Sequence, residues 1–405
     1  MNIIRIFVRK EFFLLILLLI YLIDPFLKGI YVFYFLMLFL LTKLSFLNYK
    51  LDGKGFLLLL FSIFYALFYT INPVGGTQLI IIYALAPFTF YIVGRYFSMN
   101  YSSTTFLYLL FLFIAIGFSF IPAISIIKHI LENGFVGTRN QSLIWDNNYV
   151  IAATLLGAHF TLNMSSLGVL FVQKTNSFER RIKRVILAVL FISLFCILRV
   201  ASRTQILITL ITFVISIFYL IPKLSLKRKI SLLLTIFISV ILFLLFYSIS
   251  SDSSIFNTFN ERKEDTEYIM SGSGRTNIWA MSIGNVFSRP YGWSDSEVGH
   301  AHNLWLDVSR LAGILPFLTL CVFTFLCISL IYNIIKSSPE NHFFNILILS
   351  YFIGFMAVFF VEPVMEGLFT FFLIYCLFIG ILSGYADNRN FRIQRVLMTP
   401  MLNIN

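Results

Sequence analysis

Long apolar runs recur along almost the whole chain and constrain its fold more than any other feature. A membrane-spanning helix needs about 20 mostly apolar residues, and about twelve segments approach that length. They are residues 12–23, 29–44, 56–71, 78–94, 104–127, 149–171, 185–200, 206–222, 230–249, 311–331, 343–361 and 367–385. Only 12% of the 405 residues are charged, about half the share usual in soluble domains. The sequence therefore predicts an all-α, polytopic integral membrane protein with about twelve transmembrane helices.

Basic residues concentrate in alternate connecting segments and so predict the orientation of the chain. With the N-terminus in the cytoplasm, 20 of the 30 Lys and Arg residues fall on the cytoplasmic side, as the positive-inside rule requires. Both termini are then cytoplasmic. The basic start Met1–Lys10 precedes an apolar run with no small-residue cleavage site, which favours an uncleaved first helix. Because the net charge of +12 is spread over many short clusters, it does not indicate nucleic-acid binding.

Two long loops face the side opposite the cytoplasm, at about 128–148 and 250–310. The second is the only segment that resembles a small soluble subdomain, and a helix is expected in it near Thr276–Val286. The predicted organisation is thus helices 1–6 in residues 1–184, a core in 185–385 that contains the loop 250–310, and a cytoplasmic tail in 386–405.

The first outward loop and a short turn offer the first candidate residues. The loop holds Arg139 and the pair Asn147-Asn148, where the chain re-enters the membrane. The segment suits either a helix cap with an interfacial aromatic anchor or contacts to a sugar or a phosphate. Arg199 and Arg203 share a helical face at an outward turn. Snorkelling explains such residues, but arginine at membrane depth is costly and indicates function.

The second outward loop adds an arginine–tryptophan pair and a histidine pair. Trp279 lies four residues after Arg275 and hence on the same helical face. His300 and His302 are followed by Asn303. The i, i+2 spacing of the histidines, with no cysteine or HExxH motif nearby, disfavours a metal site. A general base is favoured, because histidine titrates near neutral pH.

The last outward turn contains Glu362, as part of Glu362-Pro363-Val364-Met365-Glu366. It suits either a polar turn between two helices or a carboxylate that contacts a sugar hydroxyl or pairs with an arginine. Arg139, Arg203 and Arg275 are all predicted on this same outward side. Because guanidinium groups bind phosphate oxygens in a bidentate manner, their convergence predicts a site for a membrane-embedded pyrophosphate, whose charge they stabilise as it leaves.

These residues resemble the O-antigen polymerase and O-antigen ligase superfamily, mainly over residues 185–385. The resemblance is carried, in order, by Ser202-Arg203-Thr204, Arg275 with Trp279, Pro290-Tyr291-Gly292, His302-Asn303 with Leu306, and Gly313. Thr204 stands where the family pattern commonly has glycine. Asn147-Asn148 is a further, looser counterpart of a family asparagine element.

The resemblance implies a metal-independent, membrane-type glycosyltransferase with a helical GT-C-like fold and no cofactor. Its donor and acceptor would be oligosaccharides on undecaprenyl pyrophosphate, at the periplasmic face of the bacterial inner membrane. Arg203 and Arg275 would contact the pyrophosphate, and His302 would assist the acceptor hydroxyl. Substrate contacts are further expected from Arg139, Asn147, Asn148, Trp279, His300, Asn303 and Glu362. Membrane lipid and a chain-length regulator protein are the other expected partners.

Three activities within the superfamily fit the sequence, and one class outside it. A polymerase extends the glycan on lipid, a ligase transfers it to lipid A-core, and a third type transfers glycan to protein. The divergent, Phe- and Ile-rich sequence favours the polymerase, and the absence of a large C-terminal soluble extension disfavours the third. A flippase or transporter is disfavoured, because the mid-helix positions of the predicted spans carry almost no charge.

Overall fold

The computed structural model describes residues 11–42, 52–69, 78–101, 103–134, 139–173, 175–227, 229–230 and 275–398. Over these residues the chain is mostly α-helical. It divides into two compact units. Unit 1 comprises Met1–Ile114, Asn277–Pro339 and Phe359–Asn405, and unit 2 comprises Ala115–Thr276 and Glu340–Val358. The units are interleaved along the chain, and each combines segments from both sides of position 184.

The described elements are fifteen α-helices and one β-hairpin. In chain order they are α1 (Phe12–Ile23), α2 (Val32–Thr42), α3 (Gly53–Tyr69), α4 (Gln78–Asn100), α5 (Thr104–Asn133), β1 (Gln141–Leu143), β2 (Asp146–Ile151), α6 (Ala153–Ala158), α7 (Thr161–Ser165), α8 (Ser177–Arg199), α9 (Arg203–Leu220), α10 (Arg275–Ser288), α11 (Leu304–Ala312), α12 (Ile314–Ser337), α13 (His342–Val361), α14 (Val364–Gly367) and α15 (Phe369–Met398). Short 3₁₀ segments lie at Pro25–Leu27, Gly29–Tyr31, Ser166–Phe171 and Ile221–Lys223.

Six of the described helices are long and apolar enough to cross a membrane, which supports a membrane-embedded helical protein. These are Leu79–Asn100, Thr104–Asn133, Arg203–Lys223, Ile314–Ser337, His342–Val361 and Phe369–Arg389. The apolar helices at Phe12–Ile23, Gly29–Thr42, Gly53–Tyr69 and Thr161–Phe171 are shorter. The predicted count of twelve spans is therefore not confirmed. The predicted span 230–249 lies, except for residue 230, outside the described residues.

The prediction of one continuous helix over 149–171 is wrong. The chain there runs through the end of β2, through α6 and α7 with a break at His159–Phe160, and through the 3₁₀ segment Ser166–Phe171. Hydropathy alone does not separate a straight helix from a broken one. A buried polar side chain of this segment forms hydrogen bonds with neighbouring helices. Asn163 donates to Ser119 Oγ at 2.7 Å and to Ser193 Oγ at 3.1 Å, which holds the broken segment against α5 and α8.

One short β-hairpin interrupts the otherwise helical architecture of the described residues and changes the setting of the two asparagines. Strands β1 and β2 pair antiparallel, with Gln141 opposite Ile151. The side chain of Asn140 accepts a hydrogen bond from Ala153 N at 3.0 Å and so fixes the exit of the hairpin. Asn147 and Asn148 therefore lie on β2 rather than at a helix start.

Close contacts between glycines and facing backbone bring α4 and α15 together in unit 1. A Cβ atom on Gly94 would lie 2.2 Å from the Leu377 carbonyl oxygen, and one on Gly380 would lie 2.0 Å from the Tyr91 carbonyl oxygen. Small residues at such positions allow helix backbones to approach within a membrane. This crossing forms the centre of unit 1, beside the buried aromatic rings of α3 and α15, which include Phe61 and Phe372 at 5.8 Å.

Candidate functional site

Residues 277–310, which belong to the predicted loop 250–310, fold as a small subdomain of unit 1. Its core consists of Val286, Trp293, Val298, Ala301 and Leu306, with Ile278, Trp279, Ile314 and Phe317 packed against it. The indole Nε1 of Trp279 donates to the Ala301 carbonyl oxygen at 2.7 Å. Trp279 was expected to contact substrate. In the structure it joins α10 to the segment His300–His302.

Two glycines lock the turn at Pro290–Gly292 onto the end of α11. Gly292 has φ +97° and Gly313 has φ +83°, which favours glycine over other residues. A Cβ atom on Gly292 would lie 2.3 Å from the Arg310 carbonyl oxygen, and one on Gly313 would lie 2.1 Å from the Pro290 carbonyl oxygen. Hydrogen bonds from Trp293 N to Arg310 O at 2.9 Å and from Ile314 N to Pro290 O at 3.0 Å close the junction. The predicted span 311–331 accordingly begins only at Ile314.

His302 stands in a strained backbone conformation that a single carboxylate maintains. Its φ is +51°, a left-handed value that is costly for a residue with a Cβ atom. The carboxylate of Asp307 accepts hydrogen bonds from Ala301 N and Asn303 N, both at 3.0 Å, and so grips the amides on either side of His302. Asn303 is the N-cap of α11, and its Oδ1 accepts from Leu306 N at 3.3 Å.

Asp307 is itself almost fully buried, with 1% of its surface exposed. Desolvation raises the pKa of its carboxyl to about 6, and Arg310 with the two amide hydrogen bonds offsets part of that rise. Above this pH the ionised carboxylate is the stronger acceptor for both amides. The grip on His302 is therefore strongest in the ionised form.

Beside this turn lies a charged group that we call the Arg310 cluster, which consists of Asp295, His300, Arg310 and Glu366. The guanidinium of Arg310 contacts Asp295 Oδ1 through Nη1 and Glu366 Oε2 through Nη2, each at 2.5 Å. The imidazole of His300 lies between the same carboxylates, with Nδ1 3.0 Å from Glu366 Oε2 and Nε2 3.3 Å from Asp295 Oδ2.

The exposure of these groups shows how the cluster is built. The Arg310 side chain is 3% exposed, whereas those of His300 and Asp295 are 42% and 50% exposed. A buried guanidinium without partners is strongly unfavourable, so the carboxylates are what allow Arg310 to lie there. The guanidinium of Arg310 is thus buried at the centre of the cluster, and the imidazole of His300 is accessible at its surface.

In unit 2, Arg139 binds the turn between α8 and α9, and Arg199 at the end of α8 binds the residue that follows α5. Arg139 donates through Nε to the Val200 carbonyl at 3.4 Å and through Nη2 to the Ala201 carbonyl at 3.2 Å. Arg199 donates through Nε to the Gly134 carbonyl at 3.3 Å. Cations at a helix C-terminus offset the negative end of its dipole. Arg139 therefore stabilises the end of α8 immediately before Arg203, the first residue of α9.

The start of α9 is packed tightly against the broken segment. Ser202 Oγ would lie 2.5 Å from a Cβ atom on Gly157, and Thr161 Oγ1 donates to Gln205 Oε1 at 3.1 Å. Residues of both short helices, Gly157 on α6 and Thr161 on α7, thus hold the short serine–arginine element.

The predicted site residues are divided between the two units. Unit 1 contains Trp279, His300, His302, Asn303 and Glu362, and unit 2 contains Arg139, Asn147, Asn148, Arg203 and Arg275. Glu362 lies buried at the bend between α13 and α14, with 3% of its surface exposed. Arg275 is the first residue of α10. Within unit 1, His300, His302 and Asn303 lie on one turn, and within unit 2, Arg139 reaches the turn that precedes Arg203.

Sequence reasoning missed Arg310, Glu366 and Asp307. Arg310 carried a usable signal, because an arginine among apolar residues near the start of a membrane-spanning helix is costly unless it is paired. In the turn Glu362–Glu366, Glu366 is the carboxylate that contacts Arg310. Among the described residues, no group of three or more His, Cys, Asp or Glu side chains is arranged to hold a metal ion.

No protein-family model matches the chain, and no curated protein shows significant similarity to it. The fold itself defines the class as a helical membrane protein.

Proposed function

We propose that this protein is an O-antigen polymerase of the bacterial inner membrane. It transfers a growing glycan from undecaprenyl pyrophosphate to the next lipid-linked repeat unit at the periplasmic face, with both chain termini in the cytoplasm and about twelve spans. The proposal is supported by the presence of several sequence elements in a single subdomain, where Trp279 donates to Ala301 beside His302-Asn303, and Pro290–Gly292 contacts the Gly313 junction. These are the C-terminal elements on which the family resemblance depends.

The observation that carries the proposal is the backbone of His302. Strained residues are retained where the surrounding structure over-determines them, and they concentrate at functional sites. Here the Asp307 carboxylate binds the amides on both sides of His302 and holds φ at +51°. A general base must be held in a defined position toward the proton that it accepts. We assign that role to His302, and a positioning role to Asp307.

The reaction is a substitution at the anomeric carbon of the donor. The acceptor hydroxyl oxygen forms the new glycosidic bond, its proton passes to the His302 imidazole, and the bond to the pyrophosphate breaks. Undecaprenyl pyrophosphate leaves with the electron pair. Arg203 and Arg275 bind its oxygens and stabilise the added negative charge, at about 4 kcal/mol for one charge pair at 4 Å and an effective dielectric of 20.

Reconstituted protein tests this assignment with lipid-linked repeat units in liposomes and no ion gradient. The wild type is expected to produce a ladder of longer glycans. Arg203→Ala and Arg275→Ala should each reduce extension at least 100-fold because they remove charge stabilisation of the leaving group. His302→Gln should reduce the turnover rate with little change in donor affinity. Gel analysis of the glycans measures extension, and donor titration measures affinity.

Arg289→Ala is the matched control. Arg289 lies in the same subdomain as His302. Its side chain is 59% exposed, and among the described residues its one ion-pair partner is Glu297, at 3.3 Å. It should leave extension near the wild-type rate. Wild-type ladders from Arg203→Ala and Arg275→Ala would contradict the proposal. Glycan that accumulates on added lipid A-core instead of on lipid-linked acceptor would identify a ligase.

A further inference from the structure

A cluster of basic side chains lies at one end of the hairpin formed by α8 and α9 in unit 2. Only residues 200–202 separate the two helices, so the start of α8 and the end of α9 lie at the same end. The exposed basic residues there are Arg180, Arg181, Arg184, Lys223 and Lys227. We call them the basic end of the hairpin.

The described residues offer these charges no acidic partner, although the Lys223 ammonium lies over the Tyr219 ring, 3.1 Å from its centroid. None of the five basic-end residues forms an ion pair with another described residue. Glu179 is the only acidic residue in the first turn of α8 and is 9% exposed; it belongs to a capping box with Asn176. The N-terminal end of a helix is itself positive. The basic end therefore presents a strong positive potential.

An apolar groove of about 350 Å³ begins one helical turn away from this cluster. Its three walls are the segment 164–170, α8 and α9. The lining residues are Met164, Leu167, Leu170, Leu187, Leu190, Phe191, Leu194, Ile206, Thr209, Leu210 and Phe213. Lys183 on α8 binds the end of the segment 164–170, because its Nζ donates to the Leu170 carbonyl at 2.9 Å and also to the Val172 carbonyl. Leu187 follows Arg184 by three residues, so the groove and the cluster are adjacent along α8.

We propose that this surface is a binding site for one anionic membrane phospholipid. The phosphodiester headgroup is bound by Arg180, Arg181 and Arg184, and an acyl chain lies in the groove. Basic residues at a membrane surface attract anionic lipids, and the arginine fork suits phosphate oxygens. A neutral lipid would leave the basic end uncompensated, and a soluble anion would leave the groove empty, so the two features together indicate an anionic lipid.

The full-length chain in nanodiscs tests the headgroup contact. Discs of phosphatidylcholine are compared with discs that contain a fraction of phosphatidylglycerol, and bound lipid is counted by native mass spectrometry. The wild type should retain phosphatidylglycerol with at least threefold preference over its share of the disc. The double variant Arg180→Gln/Arg184→Gln should lose that preference. The control Lys128→Gln/Arg289→Gln removes two exposed charges elsewhere and should keep it.

A pair of tryptophan variants tests the groove. Leu187 lines the groove, whereas Val185 on the same helix does not, and both are 44% exposed. Leu187→Trp should fill the groove and reduce retained phosphatidylglycerol at least threefold, while Val185→Trp should not. Equal retention of both lipids by the wild type, or equal effects of the two tryptophans, would overturn the proposal. The lipid count does not depend on glycan transfer, so it distinguishes this site from the proposed enzyme activity.

Discussion

At the scale of single residues, the site depends on groups that hold other groups in place. Asp307 contacts the amides that flank His302 rather than its imidazole. Glu366 contacts both Arg310 and His300. Such buried or half-buried partners are costly to remove one at a time, because the group left behind is unpaired. Substitutions at Asp307 and Glu366 are therefore expected to act through His302 and His300, respectively.

The strain at His302 gives a prediction that separates stability from function. His302→Ala keeps a Cβ atom at φ +51° and keeps the strain, whereas His302→Gly removes it. The glycine variant should be more stable than the alanine variant by about 1 kcal/mol, and both should lose glycan extension. Thermal unfolding in detergent measures the difference, and a glycine variant less stable than the alanine variant would show that the turn stores no strain.

At the scale of elements, the crossing of α4 and α15 in unit 1 requires glycines, which have no side chain, where the two backbones meet. Gly94 and Gly380 face backbone atoms of the opposing helix, which cannot move aside as a flexible side chain can. Gly313, between α11 and α12, in the same way faces the backbone of the Pro290–Gly292 turn. These contacts set where α15 and the short helix α11 lie, and hence where the Arg310 cluster forms.

Two glycine-to-alanine substitutions should therefore have opposite effects. Gly380→Ala places a Cβ atom 2.0 Å from the Tyr91 carbonyl oxygen and should destabilise unit 1 by at least about 2 kcal/mol, as overpacked interiors do. At Gly284 on α10, an added Cβ atom would meet no described atom within 4 Å, so Gly284→Ala should stabilise by about 0.5–1 kcal/mol through helix propensity. Melting temperatures of the two variants provide the comparison. If Gly380→Ala left the melting temperature unchanged, α4 and α15 would be able to move apart at little cost in free energy.

At the scale of the whole molecule, distant parts of the chain are joined by one buried ion network in unit 1. Arg95 contacts Asp52 Oδ2 and Asp387 Oδ2, each at 2.8 Å. Asp52 also accepts hydrogen bonds from Tyr91 at 2.6 Å and from Ser383 at 2.8 Å. The network thus connects the start of α3 with α4 and with α15, nearly 300 residues later in the chain.

Replacing Arg95 alone should lower the free energy of unfolding more than replacing Arg95 and Asp52 together. Arg95→Met leaves the Asp52 carboxylate buried without its main counter-charge and should cost about 3–5 kcal/mol. Adding Asp52→Asn to Arg95→Met should recover part of that loss, because the amide carries no charge that needs Arg95, and the charges that remain on Lys54 and Asp387 are 21% and 36% exposed. The double-mutant cycle, followed by thermal unfolding, measures the coupling. Additive effects of the two substitutions would mean that the pair contributes nothing as a pair.

The sequence by itself determined the membrane setting and most helix positions, because apolar length and charge are properties of the chain alone. α1, for example, was predicted at its observed bounds, 12–23. Only the tertiary structure decided that 149–171 is broken, that Asp307 grips the amides around His302, and that Glu366 rather than Glu362 contacts Arg310. Those features depend on contacts between residues far apart in the chain, and on backbone dihedral angles that hydropathy does not encode.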